Sequence, residues 1–115
     1  MTRKLPDVAP DDFSVLDIRV GRVLTVEGFP EARTPAWKLT VDFGLDVGVL
    51  RTSARITNYR PGELLGRLVV GAINLGEKPI AGFTSEFLVL GAVRSDRSVR
   101  LLGVDAGAEP GDRIA

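Results

Sequence analysis

The sequence predicts a mainly β fold with one short helix, a five-stranded barrel carrying extra segments at its ends. Three observations carry this reading. Apolar and polar residues alternate in several short runs, a single stretch over 56–65 spaces its apolar residues as helical turns do, and Gly or Pro punctuates the boundaries. With 115 residues, 44% of them hydrophobic and 26% charged, the chain is expected to fold as one domain over 1–115 with a modest core. No internal repeat, low-complexity tract or linker divides it.

The elements follow in order. Pro10, Asp11, Asp12 and Phe13 predict a helical turn with an Asp cap. Over 17–27, Ile18, Val20, Leu24 and Val26 hold even positions and polar residues most odd ones, which is a strand. Gly21 inside it permits the bend or bulge that lets one strand serve two layers. Residues 29–35 have a proline near each end and read as an ordered loop. Trp37, Leu39, Val41 and Phe43 alternate with Lys38, Thr40 and Asp42 in a second strand, and the turn 44–46 leads to a third over 47–54. Tyr59, Pro61, Leu64 and Leu65 give 56–65 the spacing of one or two helical turns, closed by Gly66. A largely apolar fourth strand spans 67–73, a short strand or bend 80–83, and a fifth strand 85–93. The polar turn 94–98 and a strand over 99–104 add a hairpin arm, and 106–112 is a loop ahead of Ile114. Three strands, a helix and two strands is the order of the OB barrel, whose helix plugs one end. Another small barrel or a half-open sandwich has the same periodicity.

The missing residue types narrow the chemistry. Without His or Cys the chain has no imidazole base, no thiolate, no disulfide and no zinc site of the usual ligands. Apart from the adjacent Asp11 and Asp12 its carboxylates are scattered singly, so a non-enzymatic protein with no cofactor and no metal is expected, the rival being a small carboxylate enzyme. No apolar run approaches the roughly 20 residues of a spanning helix. The opening MTRKLPDVAPDDF also lacks the apolar core of a secretory signal, so the expectations are no membrane insertion and a cytoplasmic location.

Fifteen basic residues balance fifteen acidic ones, which excludes phosphate binding by a large overall positive field. Local bias survives. The stretch 31–67 has six basic against four acidic residues, and Arg outnumbers Lys 12 to 3 along the chain. Arg suits forked phosphate contacts and stacking, although a compositional bias produces the same ratio.

Four words occur in order over 12–91: LDIRVGRV, FPEAR-x-PAWKL-x-VDFG, TSARIT and IAGF-x-SEFLVLG. In these words the chain resembles the tRNA-binding domain family, and most of all its free-standing CsaA-type export chaperones. The module appended to bacterial methionyl-tRNA synthetase has N-A-D-K-L where this chain has Glu31, Ala32 and Arg33. The resemblance implies an OB barrel acting as a homodimer, with tRNA as a partner and a chaperone role toward preproteins and the export machinery. It also implies functional positions at Asn74, Gly82, Ser85 and Glu86, with Arg33 in the loop before the second strand. One stretch departs from the pattern: between Asn74 and Ile80 only Lys78 is basic, and Glu77 stands beside it. A carboxylate there opposes phosphate.

The candidate nucleic-acid ligands are Arg33, Lys38, Arg51, Ser53, Arg55, Asn74, Lys78 and Ser85. Arg33, in a Pro-flanked loop, suits a phosphate, a base or a peptide carboxylate, or else a surface ion pair with Glu31. Lys38, Arg51, Ser53 and Arg55 fall on or beside the second and third strands, the face an OB fold presents to ligands, and an ordinary solvated face looks the same. Asn74 and Ser85 suit nucleotide contacts or the pinning of loop backbone, and Glu86 suits an architectural brace. Trp37 is expected to pack rather than to stack on a base. Phe83, beside Gly82 in a turn, is expected to be partly exposed and to line an apolar peptide groove. The arm around 94–98 and the amino-terminal segment are expected to form the dimer contact.

Overall fold

A computed structural model describes residues 3–115. A short helix α1 (Pro10–Ser14) precedes the long strand β1 (Ile18–Gly28), which pairs antiparallel with β2 (Trp37–Asp42). β3 (Val49–Ala54) pairs with β2, and β4 (Leu68–Ala72) returns along the first half of β1. β7 (Leu88–Val89) then pairs with β4, so the main sheet runs β3-β2-β1-β4-β7. Its two ends meet where Glu86 N–H donates to the Arg51 carbonyl at 2.7 Å. The result is a nearly closed, five-stranded antiparallel OB barrel. A hairpin of β5 (Lys78–Ile80) and β6 (Phe83–Ser85) lies beside β3, and β8 (Gly91–Val93) with β9 (Val99–Leu101) forms the arm.

β1 serves two layers, by a route the alternation did not reveal. Arg22 and Val23 pair with Asp42 and Val41, but Thr25 pairs with Thr40, which leaves Leu24 as the extra residue of a bulge. The bulge reverses which parity faces the barrel. Before it, Gly21 and Val23 point inward; after it, Val26 packs on the core while Leu24 is 44% exposed. The even residues Ile18 and Val20 face the other way. Ile18 packs with Val70, Ala72, Leu90, Val104 and Ile114 in a second cluster.

Gly21 thus fills a different role from the expected bend. A Cβ there would lie 2.5 Å from Val41 Cγ1 and 2.8 Å from Phe43 Cε1. At Gly71 it would lie 2.9 Å from Phe87 Cδ2 and 3.1 Å from Phe43 Cζ. The two bare positions make room for Phe43 and Phe87, which meet edge to face with centroids 4.9 Å apart at 84°. Around this pair Leu39, Val41, Val69 and Leu64 are fully or almost fully buried.

Leu64 belongs to the plug. The helical stretch is α2 (Pro61–Leu64), shorter than the 56–65 spacing suggested, and the Glu63 carboxylate accepts the Arg60 N–H at 2.8 Å to cap it. At α1 the cap position is Ala9 rather than an Asp; Asp12 reaches back to the Ala9 N–H at 3.1 Å.

The expected fifth strand, 85–93, is divided because successive parts serve different partners. Glu86 bonds to β3, Leu88 and Val89 pair with β4, and residues 91–93 pair with β9. The expected loop at 106–112 also gains structure at its end. Gly111 N–H donates to the Val20 carbonyl at 2.8 Å, Val20 N–H to Asp112 at 2.9 Å, and Ile114 N–H to Ile18 at 2.9 Å. These bonds cover the edge of β1 that β2 leaves bare. No helix of the described residues is long and apolar enough to cross a membrane.

The crowding at Gly21 sets a stability test. Gly21→Ala is expected to cost about 1–3 kcal/mol through overpacking, read as a lower urea midpoint with an unchanged slope.

Candidate nucleic-acid interface

The outer face of β2 and β3 is assembled by strand register. Lys38 stands opposite Ser53 and Thr40 opposite Arg51, while Leu39, Val41, Thr52 and Ala54 between them point inward and are buried. At one border, Phe29 and Phe83 pack edge to face, centroids 5.5 Å apart, over Ala36. Two cations lie on these rings. Lys38 Nζ is 5.2 Å from the Phe29 centroid and 5.6 Å from that of Phe83, and the Arg51 guanidinium carbon is 4.5 Å from Phe83. Each contact contributes about 0.5–1 kcal/mol at an exposed site and restricts a long side chain.

The cations form no ion pair, although Glu27 of β1 stands opposite Lys38 in the strand register. Among the described residues the ion pairs join Lys4 to Asp7, Asp17 to Arg19, and Arg60 to Glu63. None involves Arg33, Lys38, Arg51, Arg55 or Lys78. A concavity of about 710 Å³ elsewhere contrasts with this face. Its lining includes Asp42, Asp46, Glu109 and Asp112, and its two arginines are engaged, Arg19 by Asp17 and Arg22 by the Gly66 carbonyl. The four carboxylates disfavour phosphate there.

A hydroxyl relay fixes the border between β3 and β6. Thr52 Oγ1 donates to the Phe87 carbonyl at 2.7 Å, which leaves Ser85 as the donor in the 2.9 Å contact between the two hydroxyls. Ser85 Oγ also accepts the Ser53 N–H at 3.4 Å. Beside the relay, the Glu86 carboxylate accepts the Arg51 N–H at 2.9 Å. The barrel is thus closed largely by side chains standing in for a strand ladder.

The candidates named from sequence divide accordingly. Lys38, Arg51 and Ser53 share the outer face, and exposed Arg55 follows directly after β3. Lys78, also exposed, lies opposite Ser85 on the β5–β6 hairpin, whose turn residues Ala81 and Gly82 have φ of 48° and 81°. Arg33 is exposed in a loop anchored by buried Phe29 and Ala36. Ser85 is 8% exposed and committed to the relay. Asn74 lies away from the face and pins the amino-terminal segment, accepting the Asp17 N–H and donating to the Val15 carbonyl, both at 2.8 Å. Trp37 packs on the core and donates its indole N–H to the Tyr59 carbonyl at 3.0 Å.

Phe83 corrects an expectation. It is 7% exposed and buried against Phe29, so it underlies the cations rather than lining an open apolar groove. Phe29 and Thr52 were not among the sequence candidates. The apolar Phe29 just ahead of a Pro-flanked loop was the available signal, whereas nothing local marked a buried Thr52.

The family model described as "Putative tRNA binding domain" matches residues 18–113. The chain belongs to the tRNA-binding domain family. Solved structures similar to this domain include the CsaA chaperone protein of Picrophilus torridus, 46% identical with a TM-score of 0.89, covering 95% of this chain and 100% of that one. The chaperone CsaA of Bacillus anthracis is 40% identical with a TM-score of 0.90, covering 96% and 100%. The methionine–tRNA ligase of Neisseria meningitidis serogroup C is 37% identical over 105 residues, 90% of this chain. The chain spans only 15% of that ligase's length, so the likeness is to one domain of it.

The relay of this tRNA-binding domain is open to a direct test. Thr52→Val keeps the shape but strands the Phe87 carbonyl and the Ser85 hydroxyl, and is expected to cost about 1–3 kcal/mol. Urea unfolding measures the loss, and Ser85→Ala should lose less, since Thr52 then keeps its carbonyl partner.

Proposed function

We propose that this protein is a non-catalytic tRNA-binding domain that takes the phosphate backbone of a structured RNA on the outer face of β2 and β3. The observation that carries the proposal is the pair Lys38 and Arg51, held on Phe29 and Phe83 and ion-paired to no carboxylate among the described residues. Arg33, Arg55 and Lys78 extend the cationic border, and the Ser53 hydroxyl supplies a neutral donor. RNA is read here by shape and backbone, which suits a chain of zero net charge with one local basic face. Glu77 beside Lys78 limits affinity at the hairpin.

A second reading is a chaperone that holds apolar segments of preproteins for the export machinery, with little RNA affinity. It is favoured by the likeness to CsaA chaperones and by Leu5, Val8, Phe13 and Val15, which are 78%, 73%, 47% and 70% exposed in the amino-terminal segment. In both readings the protein works in the cytoplasm as a homodimer, whose twofold repetition doubles a weak site.

Titration with unfractionated tRNA at about 50 and 200 mM salt separates the readings. If all five cations reach phosphate, the logarithmic salt slope is about −3.5 to −4.5, a loss of roughly 130- to 500-fold in affinity across that range. The double variant Lys38→Ala, Arg51→Ala should stay folded and reduce the slope by about 1.4–1.8. Binding that is absent, or insensitive to salt and to these substitutions, rejects the RNA reading. Apolar capture of an unfolded polypeptide would instead persist or strengthen as salt rises.

A further inference from the structure

Glu86 stands beside the cationic face yet neutralises none of it. Its carboxylate accepts the Arg51 main-chain N–H at 2.9 Å, and its own N–H donates to the Arg51 carbonyl at 2.7 Å. One residue therefore grips both main-chain polar groups of Arg51. Meanwhile the Arg51 guanidinium rests 4.5 Å from the centroid of Phe83, out of ion-pair reach of any carboxylate among the described residues. A charge-assisted pair with that guanidinium is the stronger bond open to a carboxylate. Here the carboxylate is used on the main chain instead.

We propose that Glu86 is a positioning residue for RNA binding: by anchoring the Arg51 backbone it keeps the guanidinium on Phe83, unpaired and presented to phosphate. This inference rests on the RNA-binding reading above and assigns the acid a sign opposite to its charge. On charge alone Glu86 repels phosphate, and its loss tightens binding. As a positioning residue it supports binding, and loss of its reach weakens it. The neighbouring relay through Thr52 and Ser85 holds the rest of the border, so the barrel does not depend on Glu86 alone.

Two substitutions in the full chain separate charge from reach. Glu86→Gln keeps an acceptor oxygen at the same distance and removes the charge; Glu86→Asp keeps the charge and withdraws the oxygen by about 1.5 Å, one carbon–carbon bond. In tRNA titrations, Glu86→Gln is expected to bind as tightly as the unaltered protein or more tightly. Glu86→Asp is expected to bind about three- to fivefold more weakly at 200 mM salt, with a slope reduced by about 0.9, the share of one phosphate contact. In an Arg51→Ala background Glu86→Asp should change nothing further, because both act through the same group. Unaltered binding by Glu86→Asp, or an equal loss in the Arg51→Ala background, overturns the proposal.

A second readout needs neither RNA nor Glu86→Asp to fold. Nuclear magnetic resonance of the unaltered protein and of Glu86→Gln should show the Arg51 δ protons shifted upfield by the Phe83 ring. Random-coil positions in either protein overturn the positioning role. If the shifts are present and the unaltered protein binds no tRNA, the RNA reading fails, and the positioning role in RNA binding falls with it.

Discussion

Between β3 and the segment that follows β6, two hydroxyls and one carboxylate do what a strand ladder does elsewhere in the barrel. Thr52, 2% exposed, passes its hydrogen to the Phe87 carbonyl and takes one from Ser85. A ladder would have required both strands to stay straight and in register over several residues. Side-chain bonds hold residues 86–87, which lie between β6 and β7, with Phe83 in the small satellite core and Phe87 in the barrel. Both the barrel's closure and the platform beneath Lys38 and Arg51 depend on those bonds. Stability and binding geometry therefore meet in the same few atoms.

The cationic face gathers positive charge locally in a protein of zero net charge. Long-range attraction is weak when charges cancel over the whole chain, and salt weakens it further. What remains is short-range order. Stacking on Phe29 and Phe83 limits the freedom of two flexible side chains before any ligand arrives, which lowers the entropy lost on contact. Neither cation is in ion-pair reach of a carboxylate among the described residues, although Glu27 stands opposite Lys38 and Glu86 holds the Arg51 main chain.

The alternation of Trp37, Leu39, Val41 and Phe43 identified β2, and the spacing around Leu64 identified the plug, because each pattern is local and faces a single core. β1 was legible as a strand but not in its facing. Its bulge at Leu24 reverses parity, and both of its faces are covered, one by the barrel and one by the cluster around Ile18. The shared face of Lys38, Arg51 and Ser53 was legible from the alternation of the second and third strands. It was not legible in its depth, since the burial of Phe83 comes from Phe29, far away in sequence. Ser85 looked equally suited to nucleotide or backbone until its hydroxyl partner was known.

The bonds between residues 111–114 and the start of β1 join parts of the chain separated by most of its length; Arg19 and Gly111 alone are 92 positions apart. On a ribosome adding about 5–20 residues per second, that interval lasts roughly 5–20 s. For that time the nascent β1 lacks the cover of one edge and one apolar face, and contacts of such long range form late in folding. The segment that seals β1 is thus made 92 positions after the strand it covers, and until it emerges that strand edge stays open.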